Sequence, residues 1–326
     1  MTIWRSHIKI VGSPGGSRIE LCLNKSVLAM GWSLNDRHLE ENNINETDMQ
    51  KVREQRSGIK SYDDYAALIK EWKIYGGNVD NNVKRLCYNV KHDDLVWIRD
   101  NGIYYLGRVG EASQWVYDSS KEMLERDSTT QRTCIKWHKV GDEFHVPGKV
   151  VDSFILGATL QRINSDAVEI FSKHYYNTKI DNNCYKDLTI KADQEMFYSL
   201  ISSTDCEDLV YAYLFKKYGY IVIPSTNKQS TALFECVLLD PKDRTHVYIQ
   251  VKKGNVDIDA NDFRHLQGKV FLFTSGGTVK NLDSNDENIK RISPEELFNF
   301  AKSDAAKNIV SDSISYWTEY MRKALK

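Results

Sequence analysis

Three polar side chains in the second half of the chain combine functional groups that cooperate in phosphate chemistry. Glu235 supplies a carboxylate, Gln250 an amide and Lys252 an ammonium group. Carboxylate and amide oxygens suit a hard divalent cation such as Mg²⁺. An ammonium group beside that cation stabilises charge that develops on phosphorus, or holds an attacking water. These residues are therefore the first candidates for a catalytic site.

The segment that contains them, 233–253, has the pattern of a β-hairpin. An apolar run is followed by the polar turn DPKDRT and then by a strand that alternates with period two. Pairing the strands about the middle of the turn places Glu235 opposite Gln250, with Lys252 on the same face. Glu235 shares this face with Leu233 and other apolar residues, where an unpaired charge costs several kcal/mol. We therefore expect a cation beside Glu235.

The order of these groups resembles the core of the PD-(D/E)xK nucleases and, among them, the Mrr-type restriction endonuclease branch, whose middle motif is often QxK. That branch places a helix with a Glu near its start before the hairpin, and Glu207 stands in the corresponding place, two residues before Leu209. The resemblance covers roughly 201–273. It implies an α/β restriction-endonuclease-like domain with a mixed central sheet, which cleaves DNA.

The same resemblance assigns roles to individual residues. Glu235, Gln250, the carbonyl of Val251 and Glu207 would hold Mg²⁺ or Mn²⁺, and Lys252 would position or activate the attacking water. Asp208 is the alternative to Glu207. Cutting both strands of DNA needs two active sites, so we expect a homodimer.

Composition limits the class of protein. The chain has 326 residues, enough for about two domains. It contains no apolar run of about 18 residues and begins without a signal-peptide pattern, and its six cysteines lack a zinc or CxxC spacing. We therefore expect a cytoplasmic protein that does not enter a membrane. The net charge of −1 leaves nucleic-acid binding to local patches.

Tryptophan is concentrated in the first part of the chain, where six of the seven fall within the first 137 residues. Tryptophan commonly fills the core of small β domains, but aromatic walls also hold a flipped base. Tyr104 is expected in the core from its alternation. The candidates for a base-binding pocket lie near strand ends or glycines: Trp32, Trp97, Tyr105, Trp115, Tyr117 and Trp137.

This region is similar to the PUA-like EVE modules that precede nucleases in modification-dependent restriction systems. The similar pieces are AMGW (29–32), DDLVWIRDNGIYYLGRV (93–109), WVYD (115–118) and CIKWHKVG (134–141), although Asp93-Asp94 replaces the usual Gly-Asp. The resemblance implies an α+β, PUA/EVE-like β-barrel domain whose aromatic pocket reads a modified base. We accordingly divide the chain into this domain at 1–165, a linker and helix at 166–200, and the nuclease domain at 201–326.

Several local elements follow from pattern alone. The pattern of segment 18–32 predicts two short strands, and that of 61–77 predicts a helix. Segment 269–277 is predicted to be a strand that could lie beside the hairpin. Residues 224–228 could line the substrate side of the sheet. Ser293 and Glu296 fit the capping box of a C-terminal helix.

These observations favour a Mg²⁺-dependent endonuclease that restricts modified DNA, in a restriction or antiviral defence role. An RNA-cleaving or ligand-activated defence nuclease is a second interpretation. A third is a binding protein of the same fold in which Gln250 has abolished metal binding and catalysis. The remaining possibility is an ordinary surface hairpin, which the apolar face around Glu235 disfavours.

Overall fold

The computed structural model describes residues 1–8, 17–75, 77–155, 157–181, 184–186, 188–226, 234–283 and 285–324. The chain forms two compact units. The first consists of Met1–Asp142 and Asp152–Asn182, and the second of Glu143–Val151 and Asn183–Lys326. This division differs from the sequence-based boundaries, because the helix after residue 165 belongs to the first unit and a short segment before it belongs to the second.

The first unit mixes short strands with several helices. In chain order these are β1 (Ile3–Ser6), α1 (Arg18–Lys25), β2 (Leu28–Met30), α2 (Asp36–Glu41), α3 (Glu46–Arg56), α4 (Tyr62–Trp72), α5 (Gly77–Tyr88), β3 (Leu95–Asp100), β4 (Ile103–Val109), β5 (Trp115–Tyr117), α6 (Lys121–Glu125), β6 (Thr130–Arg132), β7 (Ile135–Gly141), α7 (Gly148–Ser153), β8 (Leu160–Arg162) and α8 (Asp166–Lys179). The chain passes between the units within α7.

Two sheets form the framework of this unit. The larger has the order β7-β4-β3-β1-β8, in which β1 and β3 are parallel and the other pairs antiparallel. The smaller has the order β2-β6-β5. Neither sheet closes on itself within the described residues, since β7 and β8 are both edges of the larger one. The expected barrel is therefore an open mixed sheet in the part of the chain that the structure describes.

Within its described residues, the second unit combines a mixed sheet with four main helices. Its elements are a 3₁₀ turn (Glu143–His145), α9 (Gln194–Leu200), α10 (Ser203–Tyr218), β9 (Ile221–Val222), a 3₁₀ turn (Pro224–Thr226), β10 (Cys236–Leu239), β11 (His246–Lys252), β12 (Ile258–Asp259), a 3₁₀ turn (Ala260–Phe263), β13 (Lys269–Thr274), β14 (Val279–Lys280), β15 (Ile289–Arg291), α11 (Pro294–Ala301) and α12 (Asp312–Ala324).

The central sheet of this unit has the order β15-β13-β11-β10-β9. β9, β10 and β11 are antiparallel neighbours, whereas β13 runs parallel to β11 and β15 parallel to β13. The prediction that 269–277 contains a strand beside the hairpin is confirmed by β13. The chain as a whole is thus α+β with mixed sheets.

Local patterns predicted some elements and missed others. α4 begins at the capping box of Ser61 and Asp64, as expected for a helix in 61–77. The segment at 18–25 is a helix rather than a strand, because Ser17 caps it and Ile19 and Cys22, three residues apart, are buried on one face. Among the described helices, none is long and apolar enough to cross a bilayer.

The capping box predicted at the start of α11 is wrong. Ser293 occupies the N-cap position, but its side chain makes no capping hydrogen bond. Glu296 instead bonds the Tyr213 hydroxyl and accepts from Lys217 Nζ at 2.7 Å. An interaction between helices has therefore replaced a local one.

Candidate functional site

The hairpin register builds the centre of the candidate site. Cys236 pairs with Ile249 and Leu239 with His246, which is the register predicted from the sequence. The Glu235 N–H donates to the Ile249 carbonyl at 2.8 Å, so Glu235, one residue before β10, also lies against β11. The predicted contact between Glu235 and Gln250 is made by their side chains. Leu233, expected on the same face, lies outside the described residues.

Glu235 gathers both of its predicted neighbours on one oxygen. Gln250 Nε2 donates to Glu235 Oε1 at 2.9 Å, and Lys252 Nζ donates to the same atom at 3.1 Å. The Gln250 side chain is buried, whereas 27 % of the Glu235 side chain and 39 % of the Lys252 side chain remain exposed. The cation expected beside Glu235 is thus Lys252, and the site is open to solvent on one side.

Glu207 brings a second carboxylate to this group from α10. Its pKa is raised to about 7, first by burial and then by the charges of Glu235 and Asp208, and Lys252 partly opposes the rise. The pKa of Asp208 is also raised, first by burial and then by the charge of Asp205. Glu235 does not contribute to this rise. Of the two neighbouring acids, Glu207 is therefore the one beside the hairpin carboxylate.

The start of α10 is held by several hydrogen bonds, which fix Glu207 in place. Ser202 and Asp205 form a reciprocal capping box. Asp205 also accepts from the Ser313 hydroxyl at 3.0 Å. Lys253, next to the catalytic candidate Lys252, donates to the Ile201 carbonyl just before the helix. The helix start and the hairpin are thus joined directly, and the acid on one is fixed relative to the acid on the other.

The donor set fits a hard divalent cation. A cation stabilises a carboxylate whose ionisation is disfavoured by burial and by a neighbouring carboxylate, as for Glu207. Within the described chain, Glu235 Oε2 and Gln250 Oε1 accept no hydrogen bond, so two further oxygens are available. Val251 lies between Gln250 and Lys252 and pairs with Phe273 of β13. No cluster of three or more His, Cys, Asp or Glu side chains occurs among the described residues.

Two of the six aromatic candidates in the first unit lie in its core. Trp97 is completely buried, stacks on Phe171 and donates its indole N–H to the Ser172 hydroxyl at 3.2 Å. Tyr117 is also buried, and its hydroxyl accepts from the Leu34 N–H at 3.1 Å. These contacts fill the interior of the unit and leave neither ring on a pocket wall. Tyr104 is buried, as its alternation predicted.

The other four candidates lie around one hydrophobic cluster. Trp32, Tyr105, Trp115 and Trp137 are all partly buried and pack against the same core residues. Trp137 donates to the Val27 carbonyl at 2.9 Å. The Trp115 indole N–H is buried without a hydrogen-bond partner in the described chain. These four residues, rather than all six, keep the surface that an aromatic binding site requires.

The sequence did not indicate a polar pocket in the first unit. This pocket encloses about 620 Å³ and its lining includes Arg18, His38, Arg56 and Asp127. Arg18 Nη2 donates to Asp127 Oδ2 at 2.8 Å, and the Ser33 N–H donates to Asp127 Oδ1 at 2.9 Å. None of the six aromatic candidates lines it. The residues that line this pocket come from separate segments of the chain. They form no motif with a fixed spacing, so the sequence could not predict the pocket.

A second unrecognised feature is Tyr211, one helical turn after Glu207 on α10. Its hydroxyl is buried, and no hydrogen-bond partner for it occurs among the described residues. Burial raises the pKa of the phenol, and the charges of Cys236, Glu207 and Glu235 add to the rise. Tyr211 follows Glu207 by four residues, and this spacing on a helix could have indicated that the two side chains lie on the same face.

Comparison of the chain with known protein families, with curated proteins and with solved structures found no match.

Proposed function

We propose that the second unit hydrolyses phosphodiester bonds in DNA with the help of Mg²⁺ or Mn²⁺. The observation that carries this proposal is the convergence of Glu235, Gln250 and Lys252 on one face of adjoining strands, with Glu207 facing them from a capped helix. In an ordinary surface hairpin, we would not expect a buried amide, an ammonium group and two carboxylates to lie together. Metal-assisted hydrolysis of a phosphodiester can use this set of groups.

The proposed ligands of the cation are Glu235, Glu207, the Gln250 amide oxygen and the Val251 carbonyl. The bound cation would supply Lewis acidity to a phosphate oxygen. With its charge satisfied in this way, Glu235 no longer depends on Lys252. The Lys252 ammonium group is then free to orient the attacking water and to stabilise the negative charge on the phosphoryl oxygens.

The order of elements around the site also supports the proposal. A helix carrying an acid precedes an antiparallel meander, β9-β10-β11, and β13 returns parallel beside β11. This order agrees with the PD-(D/E)xK resemblance. Pro224, Ser225 and Thr226 follow β9, and the proposed lining residue Lys228 lies outside the described residues.

We further propose that the first unit selects DNA by binding a modified base. Trp32, Tyr105, Trp115 and Trp137 are the remaining aromatic candidates, and the buried indole N–H of Trp115 has no hydrogen-bond partner among the described residues. Aromatic side chains hold extruded bases by stacking, with a few polar groups that read the base edge. An arrangement as a homodimer for double-strand cutting stays part of this proposal.

The decisive experiment compares phage DNA that carries modified cytosines with unmodified DNA in the presence of Mg²⁺ or Mn²⁺. We expect wild type to cut the modified DNA, and Lys252→Ala to lower the rate about 100-fold or more. Lys290→Ala, which removes an exposed lysine from β15 of the same unit, is the matched control. Metal binding should be lost in Glu235→Ala.

Each other outcome changes the proposal in a defined way. Equal cutting of both DNAs removes the reader and leaves the nuclease. Cutting of RNA in preference to DNA transfers the activity to an RNA-directed defence nuclease. A folded protein that binds nucleic acid without binding Mg²⁺ or cutting any substrate is a binding protein instead.

A further inference from the structure

A groove in the second unit adjoins the candidate catalytic residues and has no role in the chemistry described above. It encloses about 660 Å³, which is within the usual range for small-molecule sites. Its lining includes Asp208, Tyr211, Phe215, Ile221, Pro224 and Ser311. The first three lie on α10, on the turns that follow Glu207. Asp208 directly follows Glu207 in the chain, so the groove begins beside the candidate catalytic acid.

One wall of the groove is unusually apolar for a surface. Phe215 and Ile221 are each 51 % exposed, although large apolar side chains on a folded surface are normally scattered. β9, which carries Ile221, is an edge strand of the central sheet. An exposed aromatic ring beside a cleft is a platform on which a planar group can stack.

The polar groups in the groove are few and of specific kinds. The Tyr211 hydroxyl is a buried donor without a partner among the described residues. Asp208 supplies a carboxylate that accepts hydrogen bonds, and Ser311 supplies a hydroxyl. No lysine or arginine of the described chain lines this groove. The groove therefore suits a planar, uncharged group with both donor and acceptor edges better than it suits a phosphate.

We propose that this groove binds the nucleobase next to the cleaved phosphodiester and selects a base that carries an exocyclic amino group. The base would stack on Phe215, its amino group would donate to Asp208, and the Tyr211 hydroxyl would donate to a ring nitrogen or carbonyl oxygen. Thymine and uracil have no exocyclic amino group, and their N3–H lies between two carbonyl oxygens that would repel the Asp208 carboxylate. This inference rests on the proposed nuclease activity for its location beside the cut.

The test maps the cut positions in a random-sequence DNA library, read by sequencing the product ends. At one fixed position beside the cut, we expect wild type to disfavour thymine by about tenfold, the scale of one lost base contact. Asp208→Asn, whose amide can donate as well as accept, should reduce that preference to less than about threefold. Asp304→Asn, at an exposed aspartate in another part of the same unit, should behave as wild type.

A second measurement separates the groove from the chemistry. Binding of cytidine and thymidine monophosphates to Lys252→Ala is measured by saturation-transfer NMR, with Phe215→Ala beside it. We expect the cytidine nucleotide to bind the more tightly and Phe215→Ala to abolish the difference. If wild type cuts no nucleic acid, the proposed function fails, and this binding measurement alone decides whether the groove takes a base.

Three results would overturn the inference. One is cutting by wild type without any base preference at a fixed position. Another is a preference that Asp208→Asn leaves unchanged, or equal binding of the two nucleotides. The third is a dimer in sedimentation velocity that Phe215→Ala dissociates while the cut positions stay the same, since a second copy of the chain would then occupy the groove.

Discussion

The fold changes the charge state of Glu207 close to neutral pH. Its pKa, which is 4.5 for an unperturbed glutamate, is raised to about 7 by burial, by Glu235 and by Asp208, with Lys252 in opposition. Near neutral pH without metal, a substantial fraction of Glu207 is therefore protonated, and a bound cation would favour the ionised form. The ionised carboxyl group destabilises the metal-free fold, and in the proposed function it would be a ligand of the cation.

The raised pKa of Glu207 predicts how the stability of the metal-free protein depends on pH. Because the folded-state pKa of Glu207 lies above its unfolded value, its protonation stabilises the fold fully below pH 4.5, and this contribution is lost as pH rises to about 7. In EDTA, Glu207→Gln should therefore match wild type at low pH and gain roughly 1–2 kcal/mol above pH 7, after allowance for solvent screening. Urea unfolding across pH measures the difference.

The exposed Glu295→Gln on α11 is the control for that series and should track wild type at every pH. Added Mg²⁺ should reverse the advantage of Glu207→Gln, because the cation stabilises only the carboxylate. A constant difference between wild type and Glu207→Gln from low to high pH would contradict the proposed cause.

Gln250 departs from the acidic residue that the PD-(D/E)xK pattern usually has. Its amide N–H supports Glu235, which a carboxylate could not do. We predict that Gln250→Glu lowers stability in EDTA by about 1–3 kcal/mol, because it removes a donor and places a buried carboxylate beside the half-buried one of Glu235. Mg²⁺ should restore the loss and bind about tenfold more tightly, as isothermal titration calorimetry would show. Unchanged Mg²⁺ affinity would place the metal elsewhere.

At the scale of elements, the site depends on how α10 begins. Ser202 accepts from the Asp205 N–H at 2.9 Å and completes a capping box, whereas Ser293 at the same position of α11 makes no such bond. Ser202→Ala should therefore cost about 1 kcal/mol, and Ser293→Ala less than about 0.5 kcal/mol. Thermal unfolding compares the two. Equal losses would show that the sequence position, and not the observed hydrogen bond, decides the effect.

Elements with local causes were predictable from the sequence. The register of β10 and β11 follows from a short turn and period-two alternation, so the amino-acid pattern is enough to bring Glu235 and Gln250 together. α1 has an alternating pattern too, but burial of Ile19 and Cys22 against the rest of the unit decides in favour of a helix. That decision depends on tertiary contacts which the segment itself does not reveal.

Some residues of the candidate site were likewise predictable from local sequence, whereas others depend on tertiary contacts. Glu235, Gln250 and Lys252 lie within one hairpin, and their contacts follow from its register. The environment of Tyr211 requires α10, β9 and the chain before α12 to meet, and only the fold brings these together. For Trp97, the prediction of a pocket residue was wrong. Its place near a strand end suggested a pocket, but its contact with Phe171 of α8 places it in the core.

At the scale of the whole molecule, α8 determines where the first unit can be cut. Fragment 1–165 lacks Phe171 and Ser172, which cover the Trp97 ring and bond its indole. We predict that this fragment is markedly less stable than fragment 1–182, with a red-shifted tryptophan emission that reports solvent at Trp97. Intrinsic fluorescence during urea unfolding compares the fragments with the full chain. Coincident curves for the two fragments would assign α8 no role in that core.

The assignment of Glu143–Val151 to the second unit also sets the order in which a growing chain can fold. The Gly148 Cα packs so closely on the Ser202 backbone that a Cβ there would lie 2.5 Å from the Ser202 Cα, and His145 meets the Tyr316 ring edge-on. These partners are translated later, and α12 is completed about 170 residues after Val151. At usual rates of synthesis the segment waits roughly 10 to 35 s for its last contacts. When the 182 residues that contain the first unit have been translated, the segment between its two parts therefore still lacks most of the chain with which it packs.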